Sequence, residues 1–291
     1  MSDSNYFESP LAAASYAAAR PHLHAQALSR FVSFSGLQIP LEVALDIGCG
    51  TGQSTQALIR IATRVVGVDP SCAMLRETIP QAGIEYRLGS GEDIPAESGR
   101  FSLALASCVF HWVDQEIFLR EIHRVLRSDG WLIVFACWFT AEMRDVPEFA
   151  SWYRGEFLRR YPTPARHSKV LTDGWAREHG FAMRGEEEWT QEVSMSLERF
   201  ARYKLSTTNL IATFGDDGAR FDEAKRWLVG ALSPYFLDIP ERRVVFGARS
   251  VYLQRLADGA PRRDGEDESR RISIVRRNGS ARSSRVGPES R

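Results

Sequence analysis

The succession of apolar runs, glycines and helical stretches predicts a doubly wound α/β sheet, and three observations carry that prediction. Val43, Ala44, Leu45 and Ile47 form a short apolar run of the kind a fully buried parallel strand shows. Gly48, Gly50 and Gly52 follow at every second position, and residues 53–62 then read as a helix. The alternation of strand and helix repeats as far as residue 139, five strands in all.

Length and composition agree with a folded enzyme-sized unit. The chain has 291 residues, 44% hydrophobic and 25% charged, enough for one large α/β domain or two small ones. Formal net charge is zero, so no global field favours nucleic acid or an anionic membrane. No apolar run approaches a membrane span, since residues 131–139 are far too few. The N-terminus lacks the basic flank and apolar stretch of a secretory signal. Cys49, Cys72, Cys108 and Cys137 are scattered, with no C-x-x-C pair and no clustered histidines, so no metal site is expected. A reducing, cytoplasmic setting follows as the expectation, with the chain a monomer or a homodimer.

In order along the chain, residues 6–34 read as an alanine-rich helix interrupted at Pro21 and resumed from His22. Residues 1–40 are therefore expected to form an N-terminal helical cap. After the glycine turn, residues 64–68 give a second β-branched strand ending in Asp69, twenty-one positions beyond Gly48. That is near the spacing at which an acid meets ribose hydroxyls in this architecture, and a carboxylate accepts two hydrogen bonds from a vicinal diol. The competing reading is an aspartate starting a turn before Pro70. Met74 follows one helical turn on, either core packing or a surface for a flat ring. Residues 84–88 are a third strand, followed by the turn G-S-G-E-D-I-P. Residues 101–106 are the fourth, and the string S-C-V-F-H-W leaves its carboxyl end, where ligands of open α/β sheets bind. Residues 114–127 form an amphipathic helix closed by S-D-G, and residues 130–138 an apolar fifth strand. Beyond it, residues 147–161 look helical and aromatic, and residues 172–179 form a short helix closed by Gly180. Residues 181–191 and 243–253 read as strands, with helices over 197–205 and 219–232. Residues 257–291 are rich in Arg, Ser, Gly, Asp and Glu and are expected to be disordered.

The ligand of the glycine turn follows from its charges. A dinucleotide fingerprint would put Gly or Ala at position 53, which is Gln, and a P-loop would need a nearby Gly-Lys-Ser/Thr. Asp46 at the strand end would repel a pyrophosphate seated on the helix N-terminus. It suits a guest with an ammonium, a sulfonium and no phosphate, a description that fits S-adenosylmethionine.

Residues 42–52, E-V-A-L-D-I-G-C-G-T-G, resemble motif I of the class I S-adenosylmethionine-dependent methyltransferases. The resemblance spans roughly residues 6–256 and weakens after residue 139. It implies a Rossmann-like seven-stranded sheet over residues 41–256, its last two strands an antiparallel hairpin, with helices over residues 194–240 roofing the substrate. It also implies cofactor contacts at Asp46, Gly48, Cys49, Gly50, Gly52, Asp69 and Met74. The turn at residues 89–95 is similar to the family's adenine loop, with Gly91 offering its backbone N–H. Glu92 or Asp93 would accept from the exocyclic amine, because Ser90 stands where that loop usually carries Asp. Ser107 closes the set. The string S-Y-A-A-A-R-P is similar to a segment that packs over the cofactor in small-molecule methyltransferases, and the His111–Trp112 pair resembles the trans-aconitate methyltransferase branch.

The implied reaction is methylation of a small molecule, at a carboxylic acid or a hydroxyl group. A carboxylate is ionised at neutral pH and needs no base, whereas a phenol or amine would draw on His111, the histidine these motifs place at the site. His111 otherwise reads as a packed loop residue. The alternatives are a binding module that holds S-adenosylmethionine without chemistry, and a nicotinamide oxidoreductase, which Asp46 and Gln53 disfavour.

Overall fold

The structure, a computed structural model, describes residues 6–165 and 170–257. The expectation of disorder for residues 257–291 lies outside the described residues apart from Ala257.

Two helices precede the sheet. Ser9 caps α1 (Pro10–Ala19) by accepting from the Ala12 N–H at 3.2 Å, with Pro10 in the first turn where its missing N–H costs nothing. Pro21 interrupts the helix as expected, and α2 (His24–Ser35) ends on Gly36, whose φ of 65° is left-handed.

The parallel half follows as β1 (Leu41–Ile47), α3 (Gln53–Leu58), β2 (Ala62–Asp69), α4 (Cys72–Arg76), β3 (Ile84–Leu88), β4 (Phe101–Ser107), α5 (Gln115–Val125) and β5 (Leu126–Met143). Helix α3 stops earlier than the sequence suggests. Ala62 is already paired with Leu41 of β1, so β2 takes residues the helix would have used. Asp114 caps α5 by accepting from the Glu116 and Ile117 N–H groups. The helix buries Phe118, Leu119, Ile122 and Val125 against one face of the sheet.

The remainder is α6 (Phe149–Trp152), a π-helical turn (Tyr153–Phe157), α7 (Leu158–Arg160), α8 (Asp173–Glu178), β6 (Phe181–Met195), α9 (Leu197–Leu205), α10 (Thr208–Phe214), α11 (Gly218–Leu232), a 3-10 turn (Ser233–Tyr235) and β7 (Arg242–Arg255). The single helix expected over residues 147–161 is thus broken by the π turn, and α10 is an addition to the sequence reading.

The sheet has seven strands in the order β3-β2-β1-β4-β5-β7-β6. Strands β1 to β5 are mutually parallel, and β7 runs antiparallel to both β5 and β6. This is the Rossmann-like methyltransferase fold with its closing antiparallel strands. Both β5 and β6 run several residues past their expected ends because β7 pairs with each along its length, from Trp131 to Met143 on one side and from Phe181 to Met195 on the other. Alternate side chains of the strands feed two apolar layers. One holds Leu45, Phe101 and Phe118; the other holds Phe31, Phe135 and Tyr252 and continues into α9, α10 and α11. No helix among the described residues is long and apolar enough to cross a membrane.

Candidate functional site

The turn leaving β1 is built from backbone conformations that side chains resist. Gly48, Gly50 and Gly52 have φ of 60°, 54° and 85°. A Cβ on Gly48 would also press into Val109, 3.2 Å from Cγ1 and closer still to Cγ2. Glycine here lets the loop leaving β4 lie directly on the turn. The backbone N–H of Cys49 donates to the Val68 carbonyl at 3.1 Å, stitching the turn to β2, and the Cys49 side chain is buried. Met74 of α4 lies under the turn with its Cε 3.0 Å from where a Cβ of Gly50 would stand, and packs with Ala13 of α1.

Two buried acids flank this turn. Asp46 is fully enclosed at 0% exposure, inside the fold rather than facing a crevice. Its Oδ2 accepts from the Ser54 and Thr55 hydroxyls at 2.7 and 2.6 Å, which ties β1 to the first turn of α3. Its Oδ1 has no hydrogen-bond partner among the described residues. Burial pushes the carboxyl up to about 7, against the pull of the two hydroxyl bonds, and the charge of Asp69 adds to the rise. Asp69, at 7% exposure, accepts from the Gly50 N–H at 2.8 Å and the Ser71 N–H at 2.9 Å. Burial raises its titration too, opposed by those two backbone bonds. Each of its oxygens keeps a second acceptor position. Neither acid has a lysine or arginine within ion-pair distance among the described residues.

The residue 89–95 turn is held by Ser90, whose Oγ accepts from the Glu92 and Asp93 N–H groups at 3.2 Å each. Gly91 is buried, with Phe118 of α5 only 2.8 Å from where its Cβ would stand. Glu92 is half-buried and its Oε1 accepts from the Asp114 N–H at 2.9 Å, whereas Asp93 is exposed.

At the carboxyl end of β4, Ser107 Oγ lies 2.9 Å from His24 Nε2. His24, the first residue of α2, is a member of the site that the sequence reading missed. It stands 83 positions from Ser107, and only the packing of α2 on the sheet brings the two together. Burial lowers its titration to about 4, so it is a neutral imidazole near pH 7, and its Nδ1 has no partner among the described residues. Cys108 follows with φ of 58°, its Sγ 3.6 Å from the Cys137 Sγ on β5. His111 and Trp112 stand further along the same loop, their rings 5.1 Å apart, and Trp112 packs on Tyr6 and Phe7. The N-terminal segment therefore covers the loop.

The S-Y-A-A-A-R-P string closes the same region from above. Arg20 stacks between the rings of Tyr16 and Tyr203, with Cζ 4.4 and 5.5 Å from the two centroids, and donates through Nη2 to the Ser206 carbonyl at 2.6 Å. The structure thus gathers the glycine turn, Asp69, Met74 and Ser107 at the carboxyl ends of β1, β2 and β4. It sets Asp46 behind the turn and His111 on the loop beyond it.

Residues 45–134 match the family model of the methyltransferase domain. An uncharacterized methyltransferase of Mycobacterium tuberculosis is 32% identical over 155 residues, which cover 52% of this chain and 58% of that protein. The malonyl-(acyl-carrier protein) O-methyltransferase of Hamiltonella defensa is 30% identical over 151 residues, covering 50% of this chain and 57% of that protein. The chain thus spans little more than half the length of these two curated relatives. Among solved structures, one from Anaeromyxobacter dehalogenans, described as a candidate type II methyltransferase, superposes with a TM-score of 0.56 at 22% identity. It covers 79% of this chain and 95% of that one, a likeness of fold.

Proposed function

We propose that the protein is a methyltransferase that takes S-adenosylmethionine as methyl donor and a small molecule as acceptor, methylating an oxygen of a carboxylic acid or hydroxyl group. The observation that carries this reading is the pair of buried acids, Asp46 and Asp69, beside a glycine turn with no cation near it. Phosphates would be repelled there, and a cationic, phosphate-free ligand would be held. Asp69 has the acceptor positions for a ribose diol, Met74 and the buried Gly91 turn suit an adenine, and Glu92 or Asp93 would take its amine. The methyltransferase-domain match over residues 45–134 supports the same assignment.

When bound, S-adenosylmethionine supplies a methyl group on a sulfonium, already an excellent leaving group. What the chain adds is alignment and exclusion of water, effects that can lower a barrier by roughly 7–11 kcal/mol. Ser107 and the loop from Cys108 to Trp112 leave β4 where the methyl group would face its acceptor. His111 positions the acceptor, and Trp112, held by Tyr6 and Phe7, walls the pocket. Helices α9, α10 and α11 roof it.

Calorimetry with S-adenosylhomocysteine tests the cofactor directly. Asp69→Ala removes two charge-assisted bonds to the diol and is expected to weaken binding at least about a hundredfold. NAD should give no heat. Tight NAD binding without S-adenosylhomocysteine binding would overturn the reading, and binding with no methylated product from any acceptor would favour a non-catalytic module.

A further inference from the structure

Two thiols stand where β4 and β5 come apart. Strand β4 stays paired with β5 as far as Ser107 and Phe135, and the Cys108 N–H adds a bond to the Phe135 carbonyl at 2.8 Å. Cys108 then leaves the sheet with a left-handed φ of 58°, while Cys137 stays in β5, paired with Ala248 of β7. Their sulfurs are 3.6 Å apart, and both residues keep some surface open to solvent. Both are free thiols in this structure.

Their surroundings favour ionised sulfur at Cys108, whose Sγ accepts from the Cys137 N–H at 3.4 Å. The Arg20 guanidinium, whose Nε finds no acceptor among the described residues, lies near both thiols: its charge acts on Cys137, and both sulfurs act on it. A guanidinium and a donated N–H each stabilise a thiolate, the form that reacts. Cys137 is the poorer nucleophile. Its contact with Cys108, and then the protein packed densely around the thiol, hold its titration well above that of an ordinary cysteine. Cys49 is buried in the glycine turn and Cys72 is exposed on α4, so neither shares this setting.

We propose that Cys108 and Cys137 form a reversible redox site, converted to a disulfide by a hydroperoxide and returned to two thiols by a thiol reductant. The Cys108 sulfur attacks the peroxide, the O–O bond breaks, an alcohol (water from hydrogen peroxide) leaves, and Cys108 becomes a sulfenic acid. The Cys137 sulfur then attacks the Cys108 sulfur. An S–S bond forms as the S–O bond breaks, and the hydroxide takes the Cys137 proton to leave as water. Two thiols have lost two electrons and two protons, which the hydroperoxide has taken up. Transient disulfides of this kind in reducing compartments are ordinarily redox-sensing or catalytic.

The consequence for the site follows from what adjoins Cys108. A disulfide is about 2.05 Å long, so one sulfur must move inward by roughly 1.5 Å. Cys137 is fixed by its pairing with β7, so Cys108 moves. Val109, next in the chain, lies against Gly48 of the glycine turn, and the same loop carries His111 and Trp112. Resting on the methyltransferase reading, the disulfide disturbs that turn and weakens cofactor binding.

Mass spectrometry reads the bond without any methyl acceptor. Reduced protein is treated with hydrogen peroxide, its remaining thiols are alkylated, and it is digested with trypsin under non-reducing conditions. Cys108 falls in the peptide of residues 101–120 and Cys137 in that of residues 128–144. The two peptides are expected joined, and separate again after dithiothreitol. In Cys137→Ser the dimedone adduct of a sulfenic acid should appear on residues 101–120, and in Cys108→Ser none on residues 128–144. Both thiols still alkylated after peroxide, or either peptide joined to Cys49 or Cys72 instead, overturns the proposal. Calorimetry reads the consequence: oxidised wild type should bind S-adenosylhomocysteine at least about tenfold more weakly, with recovery on reduction. Reduced Cys137→Ser should stay within about threefold of wild type, which separates the bond from the loss of a thiol. An unchanged affinity in the joined form overturns the coupling to the site. Failure of the reduced wild type to bind S-adenosylhomocysteine removes the cofactor reading instead, while the joined peptides still decide the redox pair.

Discussion

Gly48→Ala is expected to cost about 2–5 kcal/mol of stability and to abolish S-adenosylhomocysteine binding. Two penalties add. The left-handed φ of 60° costs an alanine roughly 1–2 kcal/mol. Its methyl group would then overlap Val109, whose Cβ stands 3.3 Å away and whose branching at Cβ leaves it few alternative rotamers. Overpacking of that kind adds about 1–3 kcal/mol. The strain cannot stay local, because Val109 belongs to the loop that carries Cys108 to Trp112 over the site. Urea unfolding reads the first effect and calorimetry the second; an alanine variant with wild-type midpoint and affinity would contradict the geometry of the turn.

Asp46 should make the ligand-free protein less stable as pH rises, the reverse of the behaviour of a salt-bridged aspartate. Its carboxyl titrates near 7 in the folded chain, against 3.8 for an unperturbed aspartate. Between those values the folded state binds more protons than the unfolded one, so stability falls with increasing pH. The contribution is fully present below about pH 4 and is lost as pH passes through 7. About three pKa units correspond to roughly 4 kcal/mol. Asp46→Asn keeps an acceptor for Ser54 and Thr55 and has nothing to ionise. Its stability relative to wild type should therefore improve from pH 5 to about pH 7 and then level off in urea titrations, and a constant difference between pH 5 and 7 would refute the assignment.

The sequence disclosed the backbone of the site better than its side-chain contacts. The glycine turn, the acid at the end of β2 and the five parallel strands were legible because each depends on local spacing: alternate glycines, a β-branched run, a helix between strands. Asp46 was identified by its position, but its burial was not, because Ser54 and Thr55 face it only once α3 packs against β1. A carboxylate read as confronting a ligand proved to be tied to a helix with one oxygen to spare. His24 was missed for a related reason: its partner is on β4, and nothing near Pro21 in the sequence announces it. Helix ends shifted wherever a strand competed for the same residues, as at Ala62, and the lengths of β5 and β6 depended on a third strand found only at the end of the order.

That third strand sets a timetable for the chain as it is made. During synthesis β1 to β5 can find their neighbours in sequence, but β6 has only β7 beside it, and β7 begins at Arg242. Some 46 residues of helix and turn must emerge between the two. Until they do, β5 presents an open apolar border carrying Val134 and Phe135, and β6 waits alone with its glutamates facing water. A chain stopped short of residue 242 would keep its glycine turn and both flanking acids while leaving that border unsealed. Aggregation, rather than loss of the ligand-binding residues, is how such a truncation should fail.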